Sequence, residues 1–307
     1  MISVAISTYN GERYIIEQLN SIYEQDILPD EVVIVDDSSN DSTFQIICNW
    51  VSDKSNINWR VFKNDVNQGY IKTFFRAINL TMGDIIILCD QDDIWARNKV
   101  REILSVFENT KVLSYHSEID IIDNNGDVLK KSVLGYKGYN VFYSPFEFLH
   151  RLNYCGMSSA FRSSIKNDLQ DIQPETIPTH DWVIHALASV KNGLYVSNKV
   201  TTYRRFHGDN VALKMDRTKR AKINQRIDVV GNYKKYYELY LSLLYKFGNN
   251  DSSTIKIALK YFQVSQIRLN YLINRDFITF FKNILNTRYY SSIKAYFCDF
   301  MYMIGFF

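Results

Sequence analysis

The sequence predicts an α/β fold, a mainly parallel sheet with helices on both faces, and three observations predict it. Short runs rich in Val and Ile recur early, at Ser3 to Ile6, Val32 to Val35, Trp59 to Phe62 and Ile85 to Cys89. Each run is almost wholly apolar, as a parallel strand buried on both sides must be. Stretches of helical period lie between them, the alternation expected of right-handed βαβ units.

The elements follow in order. Tyr14, Ile15, Leu19 and Ile22 share one face of a helix over Glu12 to Tyr23, and Phe44, Ile47 and Val51 do so over Ser42 to Val51. A third helix covers Gly69 to Leu80, and a fourth Arg97 to Phe107. Val112 to His116 and Ile119 to Leu129 read as strands, with a hairpin turn signalled by Asn124, Asn125 and Gly126. Gly156 to Phe161 reads as a strand, Trp182 to Val190 as a helix, Leu194 to Val196 as a last strand and Tyr203 to Asn210 as a polar loop. Beyond Met215 the character changes. Ile223, Ile227, Val230, Tyr237, Leu241 and Leu244 form a heptad-like stripe broken by Lys234, the pattern of a long amphipathic helix. Two domains are expected, residues 1–215 and a helical region, 216–307.

The net charge is only +3, without a clustered basic stripe, so no nucleic-acid partner is expected. Cys48, Cys89, Cys155 and Cys298 form no CxxC pair, which argues against a zinc site or a disulfide framework and for a reducing cytoplasm. No uncharged apolar run reaches the ~20 residues that span a bilayer, and no leader peptide precedes the first strand.

A parallel sheet opens all its carboxyl ends on one edge, where ligands bind. Thr8, Tyr9 and Asn10, then Asp36 and Asp37, then Asp90, Asp92 and Asp93 converge there. Ser38 to Ser42 suit turn and cap chemistry. The three acids after Cys89 are different, because neighbouring carboxylates repel and one would suffice to cap a helix. They call for a counter-charge, and oxygen ligands favour Mg²⁺ or Mn²⁺; Mg²⁺ is usually held by one or two carboxylates plus substrate phosphates.

The motifs STYNG (Ser7 to Gly11), VDDSSNDST (Val35 to Thr43), DQDDIW (Asp90 to Trp95), THDW (Thr179 to Trp182) and YRRFHGDNV (Tyr203 to Val211) resemble, in order and spacing, family 2 glycosyltransferases. The resemblance covers about the first two-thirds of the chain and implies a GT-A fold, a Rossmann-like nucleotide-diphospho-sugar-binding domain. By this resemblance Thr8, Tyr9, Asn10 and Asp37 line the pocket for the base, with Asp37 accepting from the ring imide. Asp92 is the metal ligand, Asp90 or Gln91 faces the ribose, and Asp93 either orients the donor sugar or caps a helix. Lys72, in NQGYIK, approaches the nucleotide. Asp181 takes the place of the general base, removing the acceptor hydroxyl's proton. Trp182 offers a ring to the acceptor sugar or belongs to the core. Arg204, Arg205 and His207 gather at the leaving diphosphate, His207 also as a metal ligand, although RRFHG has an extra residue between its basic pair and the His.

The implied reaction is inverting, metal-dependent transfer from a UDP- or dTDP-sugar to a saccharide hydroxyl, with a lipid-linked oligosaccharide as the acceptor. Similar bacterial rhamnosyl- and galactosyltransferases build capsule, O-antigen and other cell-surface polysaccharides. Two other readings compete. A non-catalytic scaffold would retain the fold, yet every expected acidic position is filled. An aspartate-nucleophile phosphatase expects Thr or Val two residues beyond its second Asp, where Ile94 stands. At the C-terminus, Phe280 to Phe297 interleave bases with Tyr, Phe and Ile. That suits a peripheral contact with the inner face of the cell membrane, or a bundle packed on the catalytic domain or on a second copy, as in a homodimer.

Overall fold

The computed structural model describes residues 1–136, 141–151, 154–207, 219–248 and 251–305. The expected boundary between 215 and 216 lies outside them. The predicted alternation is present: β1 (Ile2–Thr8), α1 (Ile15–Tyr23), β2 (Glu31–Asp36), α2 (Thr43–Val51), β3 (Asn58–Lys63), α3 (Tyr70–Leu80) and β4 (Ile85–Cys89). There follow β5 (Ile94–Trp95), α4 (Lys99–Phe107), β6 (Ser114–Ile122), β7 (Val128–Lys130), β8 (Val141–Phe142), α5 (Pro145–His150), β9 (Ser159–Arg162), α6 (Ser163–Leu169), α7 (His180–Val190) and β10 (Leu194–Arg205). Four helices complete the chain: α8 (Lys219–Phe247), α9 (Ser252–Asn274), α10 (Phe277–Lys282) and α11 (Ile293–Met303).

The chain forms two compact units. The first comprises Met1–Phe142, Tyr154–Ala188 and Asn192–Gly208; the second comprises Tyr143–Asn153, Ser189–Lys191 and Asp209–Phe307.

One sheet organises the first unit, in the order β3-β2-β1-β4-β9-β6-β10-β5, with β7 on β6 and β8 on β10. The first four strands are parallel. Beyond β4 the sheet is mixed, because β9 runs antiparallel to both its neighbours while β6 and β10 are parallel to each other. β1, β2 and β4 are buried along both faces, whereas β3 is half-exposed at the edge. Ile15, Leu19 and Ile22 of α1, Ile47 of α2 and Val100 and Ile103 of α4 share a core with Val4, Val32, Ile34 and Ile87. Phe74 and Ile78 of α3, which packs on β1 and β2, are buried outside that cluster, so the sheet is covered on both sides.

Two expectations are corrected. Val112 to His116 and Ile119 to Leu129 are not separate strands; β6 is continuous to Ile122 and returns as β7 after a turn at Asp123 to Asp127. The polar loop expected over Tyr203 to Asn210 is strand as far as Arg205, and Gly208 to Asn210 lie outside the described residues. The strand continues because β10 finds partners on both sides, β6 and the short β5, which pairs Tyr203 with Ile94.

The second unit is helical. Val230, Val264, Tyr271, Phe280, Tyr290, Tyr296 and Met303 form its core. The predicted stripe on α8 turns inward at Val230, Tyr237, Leu241 and Leu244, all buried. Asp251 caps α9 by accepting from the Ser253 and Thr254 amides. Among the described residues no helix is long and apolar enough to cross a membrane.

Candidate nucleotide-sugar site

Strand register lines up the motifs. Thr8 pairs with Asp36, Asp36 with Lys63, and Ile6 with Cys89, so Tyr9 and Asp37 leave the sheet side by side while Asp90 leaves it level with Ser7, on the same edge. The first two clusters are stitched together there. The Thr8 hydroxyl donates to Asp36 Oδ2 at 3.0 Å, and the Asp37 amide donates to the Thr8 carbonyl at 2.7 Å. Asn10 sits at φ 49°, donates its amide to Ser39 Oγ and accepts from the Asn40 amide. Gln91 is tied at both ends, accepting from the Tyr9 amide at 2.8 Å and donating to its carbonyl at 3.0 Å. Gly11 permits this, since a Cβ there would lie 2.4 Å from Gln91 Oε1.

Several predicted binding residues therefore turn out to build the crevice instead. Asp37 is buried; its carboxylate accepts from Asn64 Nδ2 (2.7 Å) and the amides of Gln68 (2.9 Å) and Gly69 (2.8 Å), holding the start of α3. A carboxylate has about four acceptor positions, so at most about one remains for a base. Gln91's amide is likewise engaged at both ends with the Tyr9 backbone. Lys72 pairs with Glu175 at 2.6 Å, in a surface groove shared with Gln68, Arg76, Asn79 and Pro174. Trp182 is 1% exposed and presents no face to a sugar. Tyr9, by contrast, is 42% exposed beside the crevice.

The third cluster is short of partners. Asp92 Oδ2 lies 2.9 Å from His207 Nε2, a pairing of residues far apart in sequence that the motifs anticipate. Asp93 is buried; Oδ1 accepts from the Arg205 amide at 2.9 Å, while Oδ2 has no partner among the described residues. Asp93 does not cap α4, which starts six residues later after Asn98. Burial and the charge of Asp92 push the Asp90 carboxyl up from 3.8 to about 7, and raise Asp93 well above the usual carboxylate range. Arg204 offsets part of this charge, lowering both, and no hydrogen bond or ion pair holds it among the described residues.

Asp181 opens α7. Its Oδ1 accepts from the Thr179 hydroxyl and from the Trp182 amide, and Oδ2 accepts no hydrogen bond among the described residues. Its charge raises Asp90 and Tyr70, so it faces the same crevice. Gly156 lies against it: a Cβ there would sit 3.0 Å from His180 Nε2 and 3.7 Å from Asp181 Oδ2.

Sequence reasoning missed the supports. Arg205 is fully buried and binds outward in three directions, with Nε on the Asp92 carbonyl (3.1 Å), Nη1 on the Asp123 and Asn124 carbonyls, and Nη2 on Glu17. These contacts position the acidic turn and occupy the guanidinium. Lys99, also fully buried, donates to the Met157 carbonyl and, at 2.8 Å, to Thr202 Oγ1, with its ammonium 4.2 Å from the Trp95 ring centre. Burial lowers its pKa from 10.5 to about 7, against the pull of Cys89, Asp93 and Asp90. A lysine four residues beyond the motif carried no signal of burial in the sequence.

A parallel-sheet crevice floored by strand-end acids is the arrangement of a GT-A domain. Residues 3–169 match the model of Glycosyl transferase family 2, and the chain belongs to that family. An uncharacterized glycosyltransferase of Nostoc is 31% identical over 43% of this chain; the chain spans only 40% of that relative's length. The dTDP-rhamnosyl transferase RfbG of Shigella flexneri is 30% identical over 67% of this chain and 72% of its own. Two solved structures share the fold. Staphylococcus aureus TarS in complex with UDP-GlcNAc superposes with a TM-score of 0.61 at 19% identity, covering 91% of this chain and 88% of that one. The mannosyltransferase PcManGT from Pyrobaculum calidifontis, in complex with GDP-Man and Mn²⁺, gives 0.56 at 14% identity over 99% and 85%.

Proposed function

We propose that the chain transfers a sugar from UDP- or dTDP-sugar, with inversion, to a hydroxyl of a saccharide acceptor carried on lipid, in the synthesis of a bacterial cell-surface polysaccharide. The observation that carries this reading is the crowded acid cluster of Asp90, Asp92 and Asp93, with Asp181 near enough for its charge to raise Asp90. Relatives that use dTDP-rhamnose or bind UDP-GlcNAc support the donor class.

Among the described residues no three His, Cys, Asp or Glu side chains converge as metal ligands. Asp92 and His207, 2.9 Å apart, nevertheless fit a cation that draws its remaining ligands from diphosphate and water, as Mg²⁺ commonly does. Asp92 and His207 would hold Mg²⁺ or Mn²⁺, which when bound neutralises diphosphate charge.

The chain's own residues supply the rest. Asp181 Oδ2 accepts the acceptor hydroxyl's proton as that oxygen attacks the anomeric carbon from the face opposite the diphosphate. Arg204 balances charge on the leaving group. Asp37, Gln91 and Arg205 keep the loops in place, so little ordering is required on binding.

Asp181→Asn tests the assignment. It should lower turnover by on the order of a hundred- to ten-thousandfold while leaving UDP affinity within about threefold. Full turnover in the variant, or retained anomeric configuration in the product by NMR, would remove Asp181 from this role.

A further inference from the structure

We infer that the surface made by α10, the turn after it and α11 docks on an anionic lipid bilayer. This inference concerns the helical unit alone and does not depend on the transfer reaction. Ile278, Phe281 and Leu285 follow one another at helical spacing, and Leu285 is 86% and Ile278 70% exposed. Ile293, Phe297 and Ile304 form a second exposed stripe along α11. Phe300 joins them, its ring centre 6.0 Å from that of Phe281.

These residues are not an unfinished core. Phe280, Tyr290 and Tyr296 from the same segments already fill the inside, with Phe280 stacked on Tyr296 at 4.3 Å. The outward set is a surplus, and contiguous apolar surface of this kind marks an interaction site.

Charge selects the occupant. Arg275, Lys282, Arg288 and Lys294 are exposed among the apolar side chains, and no acid occurs between Phe277 and Cys298. The flanking acids are engaged, Asp276 capping α10 and Asp299 sealed inside. A second copy packed two-fold on this face would set the bases against their own equivalents, which repel. An anionic bilayer accepts both features, apolar side chains entering the acyl boundary while bases meet headgroups. Such a helix lies in the interface and does not span it.

The test is flotation of the full chain with vesicles of phosphatidylcholine alone and of phosphatidylcholine with phosphatidylglycerol in equal parts. The chain should float with the anionic vesicles only, and added salt should release it. Removing three bases, in Lys282→Ala/Arg288→Ala/Lys294→Ala, should weaken partitioning about a hundredfold. Ile278→Ser/Leu285→Ser should weaken it at least about tenfold, with near-ultraviolet circular dichroism unchanged in both. Equal binding to neutral vesicles, or none to either, would overturn the inference. So would a dimer that Ile278→Ser/Leu285→Ser turns into monomer without any change in flotation.

Discussion

Asp299, in the helical unit, and Asp93, at the sheet edge, are both buried acids, and their surroundings differ in kind. Asp299 accepts from Arg226 Nε at 2.7 Å, from Arg268 through Nε and Nη2, and from the Tyr271 hydroxyl. Tyr290 extends this network to Asn283. Asp93 has one backbone amide and a bare oxygen, with Asp90 and Asp92 beside it. A structural acid is surrounded by its counter-charges; the crevice acids are held together without enough of them. A proton or a bound cation would supply the missing charge, and the proposed site rests on the second.

That contrast can be broken by substitution. Asp299→Ala leaves the buried Arg268 and the half-buried Arg226 without their carboxylate and should destabilise the chain by about 3–5 kcal/mol, seen in urea unfolding. An effect below about 1 kcal/mol would show the network to be idle.

Asp90→Asn should act in the opposite direction. With its carboxyl raised to about 7, folded Asp90 keeps a proton that the unfolded chain has already released above about pH 4. Stability therefore falls as pH rises through that window, and the loss is complete above about pH 7. The Asn variant should be more stable than the parent at about pH 8 by on the order of 2 kcal/mol, and Mn²⁺ should narrow the difference by stabilising the parent. A variant less stable at every pH would place Asp90 with Asp299, as a structural acid.

The smallest effect belongs to Lys72. Its exposed pair with Glu175 contributes about 0–1 kcal/mol, so Lys72→Ala should change nucleotide affinity less than about threefold in titration. A larger loss would return Lys72 to the nucleotide.

How much of this was legible depended on range. β1, β2 and β4 could be read because burial on both faces writes itself as apolar runs, and the edge position of Asp90 to Asp93 because they follow such a run. Contacts across long sequence separations could not be read. Asp37 holds the segment around Gln68, Lys72 pairs with Glu175 and Gln91 with Tyr9, contacts that no local pattern announces. β5 is two residues long, too short for any period, yet it extends β10 and so places Arg204 beside the acids. Trp182 follows Asp181 in the motif, but helix geometry turns it into the core.

The most direct test of the central claim is calorimetric titration of UDP and dTDP into the purified chain, with Mn²⁺ and then with EDTA. The account predicts binding of at least one nucleotide with Mn²⁺, weakened at least about tenfold by EDTA and equally by Asp92→Ala. Binding of neither by folded protein, or binding indifferent to both EDTA and Asp92→Ala, would contradict the assignment of these acids to a metal-held diphosphate.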